Sequence, residues 1–199
     1  MNLPNTAKVD RFIAKKIFID KIPKSKAIFK NIDKITWGYK LSPKTINIPS
    51  TLAVDEIHIF EIVLKSKEIP TKALMEINSV IPYPVLFRLT YNDASCYAIS
   101  LLDNQKHYIS RWDEDIEFEF KGTNLEKVYE NIVKKFLKYV SKDTTLKFGQ
   151  IIQNDMRATA LKKDILALQK KIKIEKQFKK QLELSRQLKP KEKELKGLE

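Results

Sequence analysis

The sequence predicts an α/β (α+β) chain: a central mixed, largely antiparallel sheet flanked by helices, then a long C-terminal coiled-coil-like helix. Three observations carry that prediction. Apolar residues alternate, or run almost unbroken, in short segments between residues 34 and 120, the mark of half-buried and fully buried strands. Two longer stretches among and after them, 70–82 and 122–140, repeat apolar residues at helical spacing instead. From about Asp155 the character changes: no proline occurs until Pro190 and no glycine until Gly197, while Lys, Glu, Gln and Leu dominate. The division this implies is a globular α/β domain over residues 1–150 and a long basic helix over 151–199.

In chain order, residues 8–20 place Val9, Phe12, Ile13, Lys16 and Ile17 at helical spacing, which predicts a short basic amphipathic helix. Pro23 ends it, and a second short helix is expected over 25–31. "KITWGYKLS" reads as a strand with Ile35, Trp37, Tyr39 and Leu41 on one face, and "TINI" as a short strand paired with it. A strand follows over 54–65. Pro70 and Pro82 bracket a helix. "VLFRLTY" is apolar nearly throughout, as a central strand is. "CYAISLL", "HYISRW" and "IEFEF" give three more strands, and the Thr/Asn cap of "GTNLEKVYENIVKKFLKYV" opens a helix. In the tail, Leu161, Ile165, Leu168 and Ile172 step by four, three and four, and Phe178 and Leu182 continue as a rotated stripe. One continuous helix over 155–189 is expected, with Leu161, Ile165, Leu168 and Ile172 buried against the same chain, a second copy or a partner, and Phe178 and Leu182 packing against a different surface as further partner-helix residues. Homodimerisation through this helix is one of those arrangements.

The most strand-like run, "EIHIFEIVLK" at 56–65, raises a chemical question. Its alternation places Glu61 between Ile59 and Val63, on a face that otherwise wants hydrocarbon. Such a carboxylate is paired, close to solvent, or used in chemistry. The element order over 8–91 matches the αβββαβ core of the PD-(D/E)xK nucleases, in which an acidic residue and a lysine two apart on one strand hold a metal and activate water. Here the lysine is Lys65, four residues from Glu61. That separates the pair by about 13 Å instead of about 7 Å. Val63 stands where the lysine belongs, and neither Asp33 nor Asp55 fits the preceding aspartate. The expectation is a Glu61 paired with Lys40 or Arg88, and no catalytic set.

Other chemistries have less to build on. The four glycines lie too far apart for a phosphate cradle. His58 and His107 are the only histidines and Cys96 the only cysteine, so neither a zinc site nor an internal disulfide is expected. No metal, cofactor or catalytic residue is assigned. No apolar run approaches the roughly 20 residues that span a bilayer, and the N-terminus lacks a secretory signal. A cytoplasmic protein without membrane attachment is expected.

Charge is the strongest functional signal. The chain carries +13 overall, divided as +8 over residues 1–50, −2 over 51–159 and +7 over 160–199. Two basic ends point to a polyanion, nucleic acid in the first instance and DNA before RNA. Only five of the 38 basic residues are arginine, so phosphate neutralisation is favoured over reading of base edges. Lys15, Lys16, Lys21, Lys24 and Lys26 are the candidate nucleic-acid contacts.

Several stretches together resemble one family: "KIPK", "ITWGYKLSPKTINI", "EIHIFEIVLK", "IPYPVLF" and "KKIKIEKQFKKQLELSRQLK". They are similar to the bacterial proteins catalogued as domain of unknown function 4391, from about Leu3 to the C-terminus. The tail departs from that pattern at Ser185, where Asn is more frequent. The resemblance implies an accessory component of restriction-like defence loci, beside a helicase or a DNA methyltransferase that would be its protein partner. It supplies no catalytic residues. A non-enzymatic, nucleic-acid-binding docking module is therefore the expected function, with a metal-dependent PD-(D/E)xK-like nuclease subunit as the alternative.

Overall fold

The computed structural model describes residues 3–21, 27–102, 106–139 and 145–198. The chain divides into two compact units, Met1–Phe136 and Leu137–Glu199.

The first unit is built on a six-stranded mixed sheet whose spatial order follows the sequence, β1 to β6. Strands β1 (Lys8–Phe12), β2 (Ile32–Leu41) and β3 (Ile57–Leu64) form an antiparallel meander. Helix α3 (Thr71–Val80) then crosses over, so that β4 (Val85–Tyr91) lies parallel to β3. Strands β5 (Ala94–Ser100) and β6 (His107–Ile109) return antiparallel, and α4 (Leu125–Lys134) ends the unit's regular structure. A βββαβ order is present, but with β1 where the leading helix was expected and without the strand expected at "TINI".

The centre of the sheet is apolar on both faces because both are covered. Phe60, Ile62 and Leu64 of β3 and Val85, Phe87 and Leu89 of β4 pack with Leu74 and Ile77 of α3 and with Phe18 and Phe29. The alternate residues Ile57, Ile59, Leu86 and Ile99 are also fully buried. At the end of β5, Tyr129 of α4 donates its hydroxyl to the Ser100 carbonyl at 3.0 Å. Helix α4 starts where Asn124 accepts from the Lys127 N–H, satisfying one of the unpaired donors of the first turn. Cys96 is buried in this core, and burial pushes its thiol up to about 11.

Four expectations are corrected. Residues 8–20 hold β1 and the single-turn α1 (Lys16–Ile19) instead of one amphipathic helix. β1 is an edge strand paired on β2, and it bulges between Lys8 and Arg11, where Asp10 takes φ 50°. "TINI" forms no strand, because Ser42 and Thr45 make a reciprocal capping box around Pro43 and start the short α2 (Pro43–Ile46). "IEFEF" alternates like a strand but pairs with no strand among the described residues; Phe118 instead packs edge-on against Tyr97 at 4.9 Å and beside Phe136 at 5.8 Å. The expected helix over 25–31 falls partly outside the described residues, and 27–30 form a turn.

The fourth correction concerns the tail. Instead of one helix, the second unit has α5 (Phe148–Ile174) and α6 (Phe178–Leu198), separated by three residues that begin with Glu175 in extended conformation. The two helices fold back on each other. Ala158, Leu161 and Ile165 of α5 are buried with Leu195 of α6, and Leu188 and Leu198 pack at the margin. Arg157–Glu194 and Asp164–Lys191 ion pairs, and a Gln169–Glu192 hydrogen bond of 3.2 Å, cross the same seam. The carboxylate of Asp155 is almost fully buried and accepts the backbone N–H groups of Lys138 and Tyr139 at 2.7 and 2.9 Å. Among the described residues, no helix is long and apolar enough to cross a membrane.

Candidate nucleic-acid interface

Where β3 ends, Lys65 leaves the sheet and donates its backbone N–H to the Asn31 carbonyl at 2.8 Å. The Asn31 side chain then fastens the loop beyond it. Its amide donates to the Glu68 carbonyl at 2.6 Å, and its Oδ1 accepts from the Ser66 hydroxyl at 2.8 Å. Pro70 at the N-cap stops the loop and starts α3. The result is an open cleft of about 640 Å³ between the 27–31 turn and the first turn of α3.

Three lysines from three segments line that cleft: Lys30, Lys65 and Lys72. All three side chains are exposed. None is in an ion pair among the described residues, whereas Lys8, Lys40, Lys67, Lys127, Lys135 and Lys191 each have a carboxylate partner. Lys72 stands in the first turn of α3, a turn with no acidic residue. A cation is disfavoured there by the positive end of the helix dipole, which an anion in the cleft would offset; Thr71 and Leu74 already donate their N–H groups to the Ile69 and Pro70 carbonyls at 2.9 and 3.1 Å. Glu68 is the only carboxylate in the lining.

The lysines expected from the sequence are placed differently. Lys15 spends its ammonium on the Ile32 carbonyl at 2.7 Å, closing the entry to β2. Lys16 and Lys21 are exposed, on α1 and just after it. Lys24 and Lys26 lie outside the described residues. The cleft lysines escaped sequence reading because residue 30 meets residues 65 and 72 only through the antiparallel register of β2 and β3, which sets Ile32 opposite Leu64. Each is an ordinary isolated lysine in the linear chain.

A second polar cluster sits at the opposite end of β3. Glu56 receives Lys40 on one oxygen at 2.5 Å and His58 Nε2 on the other at 2.9 Å. The His58 ring lies between Trp37 and Tyr83, with centroids 4.8 and 4.9 Å away. Burial pushes the His58 imidazole below its usual range, against the pull of Glu56. Burial also works to raise the Glu56 carboxyl, but the hydrogen bonds from His58 and Lys40 and the charge of Lys40 outweigh it and hold it low. At neutral pH the ring is uncharged and donates to a carboxylate that an ammonium already neutralises. This arrangement ties β2 to the start of β3.

The six tail residues separate into two groups. Leu161 and Ile165 are buried inside the hairpin, and Leu168 and Ile172 are half-buried. Phe178 and Leu182 are 78% and 43% exposed. The first stripe is covered within the chain itself; the second is not.

The sequence profile of one family, described as domain of unknown function (DUF4391), matches residues 1–195. The chain belongs to that family. No curated protein and no solved structure matches it.

In this DUF4391 chain Glu61 pairs across the parallel β3–β4 ladder with Arg88, at 3.7 Å, both side chains about two-fifths exposed. Gly38, the extra residue of a bulge between Trp37 and Tyr39, lies over it: a Cβ there would come within 3.4 Å of Glu61 Cγ. Its other cross-strand neighbour is Thr36. Lys65 is turned to the cleft instead. Among the described residues, no three His, Cys, Asp or Glu side chains are grouped to hold a metal.

Proposed function

We propose that this DUF4391 protein is a non-catalytic accessory subunit that binds nucleic acid, DNA before RNA, through lysine-rich surfaces. It docks a helicase or DNA methyltransferase in a bacterial restriction-like, anti-phage defence system. The observation that carries the binding half is the cleft of Lys30, Lys65 and Lys72. Three lysines that make no ion pair among the described residues, and the first turn of a helix, line one concave space. The basic ends of the chain support the same reading, and their lysine bias suits phosphate contacts. The partner and the defence role rest on the family resemblance.

The test is duplex DNA binding as a function of salt. Each phosphate neutralised contributes about −0.9 to the slope of log affinity against log salt. The Lys30→Gln, Lys65→Gln, Lys72→Gln triple variant should bind more weakly and flatten that slope by about 2 to 3. An unchanged slope removes the cleft from the interface.

The alternative, a metal-dependent PD-(D/E)xK-like nuclease subunit, is favoured by the βββαβ order and by a carboxylate on β3 within reach of solvent. Plasmid cleavage with Mg²⁺ or Mn²⁺ that disappears in Glu61→Gln would replace the non-catalytic reading.

A further inference from the structure

The turn of the helical hairpin combines two features that are hard to reconcile in a solvated loop. Ile174, Phe178 and Leu182 are 69%, 78% and 43% exposed. Around them, residues 170–180 hold six lysines and one glutamate. That glutamate is spent locally, because Glu175 accepts the Gln177 N–H at 2.9 Å and so starts α6. The side chain of Gln181 donates to the Glu175 carbonyl at 2.7 Å and reaches Ile172, which fastens the first turn of α6 to the end of α5. The tip is therefore a built platform, with an aromatic ring held out from it.

We propose that this tip is a binding site for single-stranded nucleic acid, with Phe178 as the stacking surface and Lys170, Lys171, Lys173, Lys176, Lys179 and Lys180 as the phosphate contacts. Charge selects the occupant. Among the described residues none of the six ammonium groups is in an ion pair. A protein groove would need about as many carboxylates to match them, whereas a strand brings one phosphate per nucleotide. A second copy would bring six more lysines and repel the first. The exposed ring selects the form. In a duplex the base faces are already stacked, while an unpaired strand offers them freely to an aromatic side chain. Ile174 and Leu182 extend the apolar surface on either side. This inference rests on the nucleic-acid reading above and adds a second contact with a preference of its own.

The experiment uses the full chain with three probes: labelled oligothymidine of about 20 nucleotides, a mixed-sequence duplex, and vesicles of phosphatidylcholine with phosphatidylglycerol. Stacking on one aromatic predicts that Phe178→Ala weakens oligothymidine binding by about five- to fifty-fold and leaves duplex binding unchanged. Phe178→Leu should lose nearly as much. Phe178→Trp should retain affinity, and its emission, measured against the Trp37 and Trp112 background of wild type, should be quenched by the oligonucleotide. Equal binding by wild type and Phe178→Ala, retention by Phe178→Leu, or an unquenched Trp overturns the stacking site. Vesicle binding without oligothymidine binding overturns it in favour of a lipid surface. Duplex binding that depends on the cleft lysines but is accompanied by no oligothymidine quench would remove this inference alone. Quenching without duplex binding would remove the cleft and leave the tip.

Discussion

The sheet unit and the helical hairpin hold together by opposite means. In the first unit, apolar side chains are buried on four strands, β2 to β5, and on helices α1, α3 and α4, and even Tyr129 and Phe87 are excluded from water. In the second, among the described residues, only Ala158, Leu161, Ile165 and Leu195 are buried in a cluster, and charged pairs run along its outside. Apolar burial contributes about 25 cal/mol per Å². Exposed ion pairs such as Arg157–Glu194 contribute about 0–1 kcal/mol and weaken with salt. The sheet should therefore be the rigid body and the hairpin the yielding one. The same contrast separates the two lysine groups. The cleft lysines stand on a turn, a loop and a helix anchored to the sheet, whereas the tip lysines extend from a hairpin with a thin interior.

The largest effect should come from the middle of the sheet. Phe87→Ala removes a fully buried ring packed against Phe60 and His107, and should cost about 3–5 kcal/mol in chemical denaturation. If α5 and α6 lose their helical signal at the same denaturant concentration as the sheet, the two units share their stability and the contrast fails.

A smaller loss is expected in the hairpin. Leu195→Ala, at the centre of its cluster, should cost about 2–3 kcal/mol. Faster hydrogen exchange should be confined to α5 and α6. Protection lost equally in β3 and β4 would contradict the division.

The smallest effect sharpens the comparison through pH, because both histidines belong to the sheet unit. Burial holds His107 at about 4, well below its usual value, and the Asn78 amide donates to its Nε2. The unfolded chain takes up this proton near pH 6.5, while the folded chain resists until about 4. Between those values the unfolded state binds more protons. Stability is therefore full above pH 6.5, falls as the pH drops towards 4, and receives no further change from this group below that. His58, also pushed down by burial, acts in the same direction. Unfolding of wild type and His107→Gln compared across this window should show a steeper loss in wild type. Parallel curves would mean that the ring is already protonated or exposed in the folded state.

Much of the sheet was legible in the chain because its signals are local and strong. β3 and β4 are apolar runs that only a doubly covered sheet can hold. α3 lies between Pro70 and Pro82, and α4 begins at an Asn124 cap. The errors fall where a pattern lacked, or unexpectedly gained, a partner. Residues 116–120 alternate correctly but have no strand to pair with, so Phe118 turns to Tyr97 and Phe136. Residues 8–12 suit a helix by spacing, yet the edge of β2 takes them as a strand. For Glu61, alternation identified the problem and Arg88 is the answer, through a parallel register that no local rule gives.

The sequence by itself determined the α+β class, the family, the basic ends and the position of the core strands. Each follows from composition, period or motif within a few consecutive residues. The tertiary structure alone decided that Lys30, Lys65 and Lys72 share a cleft, because the antiparallel β2–β3 pairing sets the turn that holds Lys30 against the end of β3 and the start of α3. It also decided that the tail folds back at 175–177. No proline or glycine marks that turn; the helix is interrupted where reversal lets Leu161 and Ile165 be covered by Leu195. The same reversal leaves Phe178 in water, since a side chain at the turn has no opposing helix to meet.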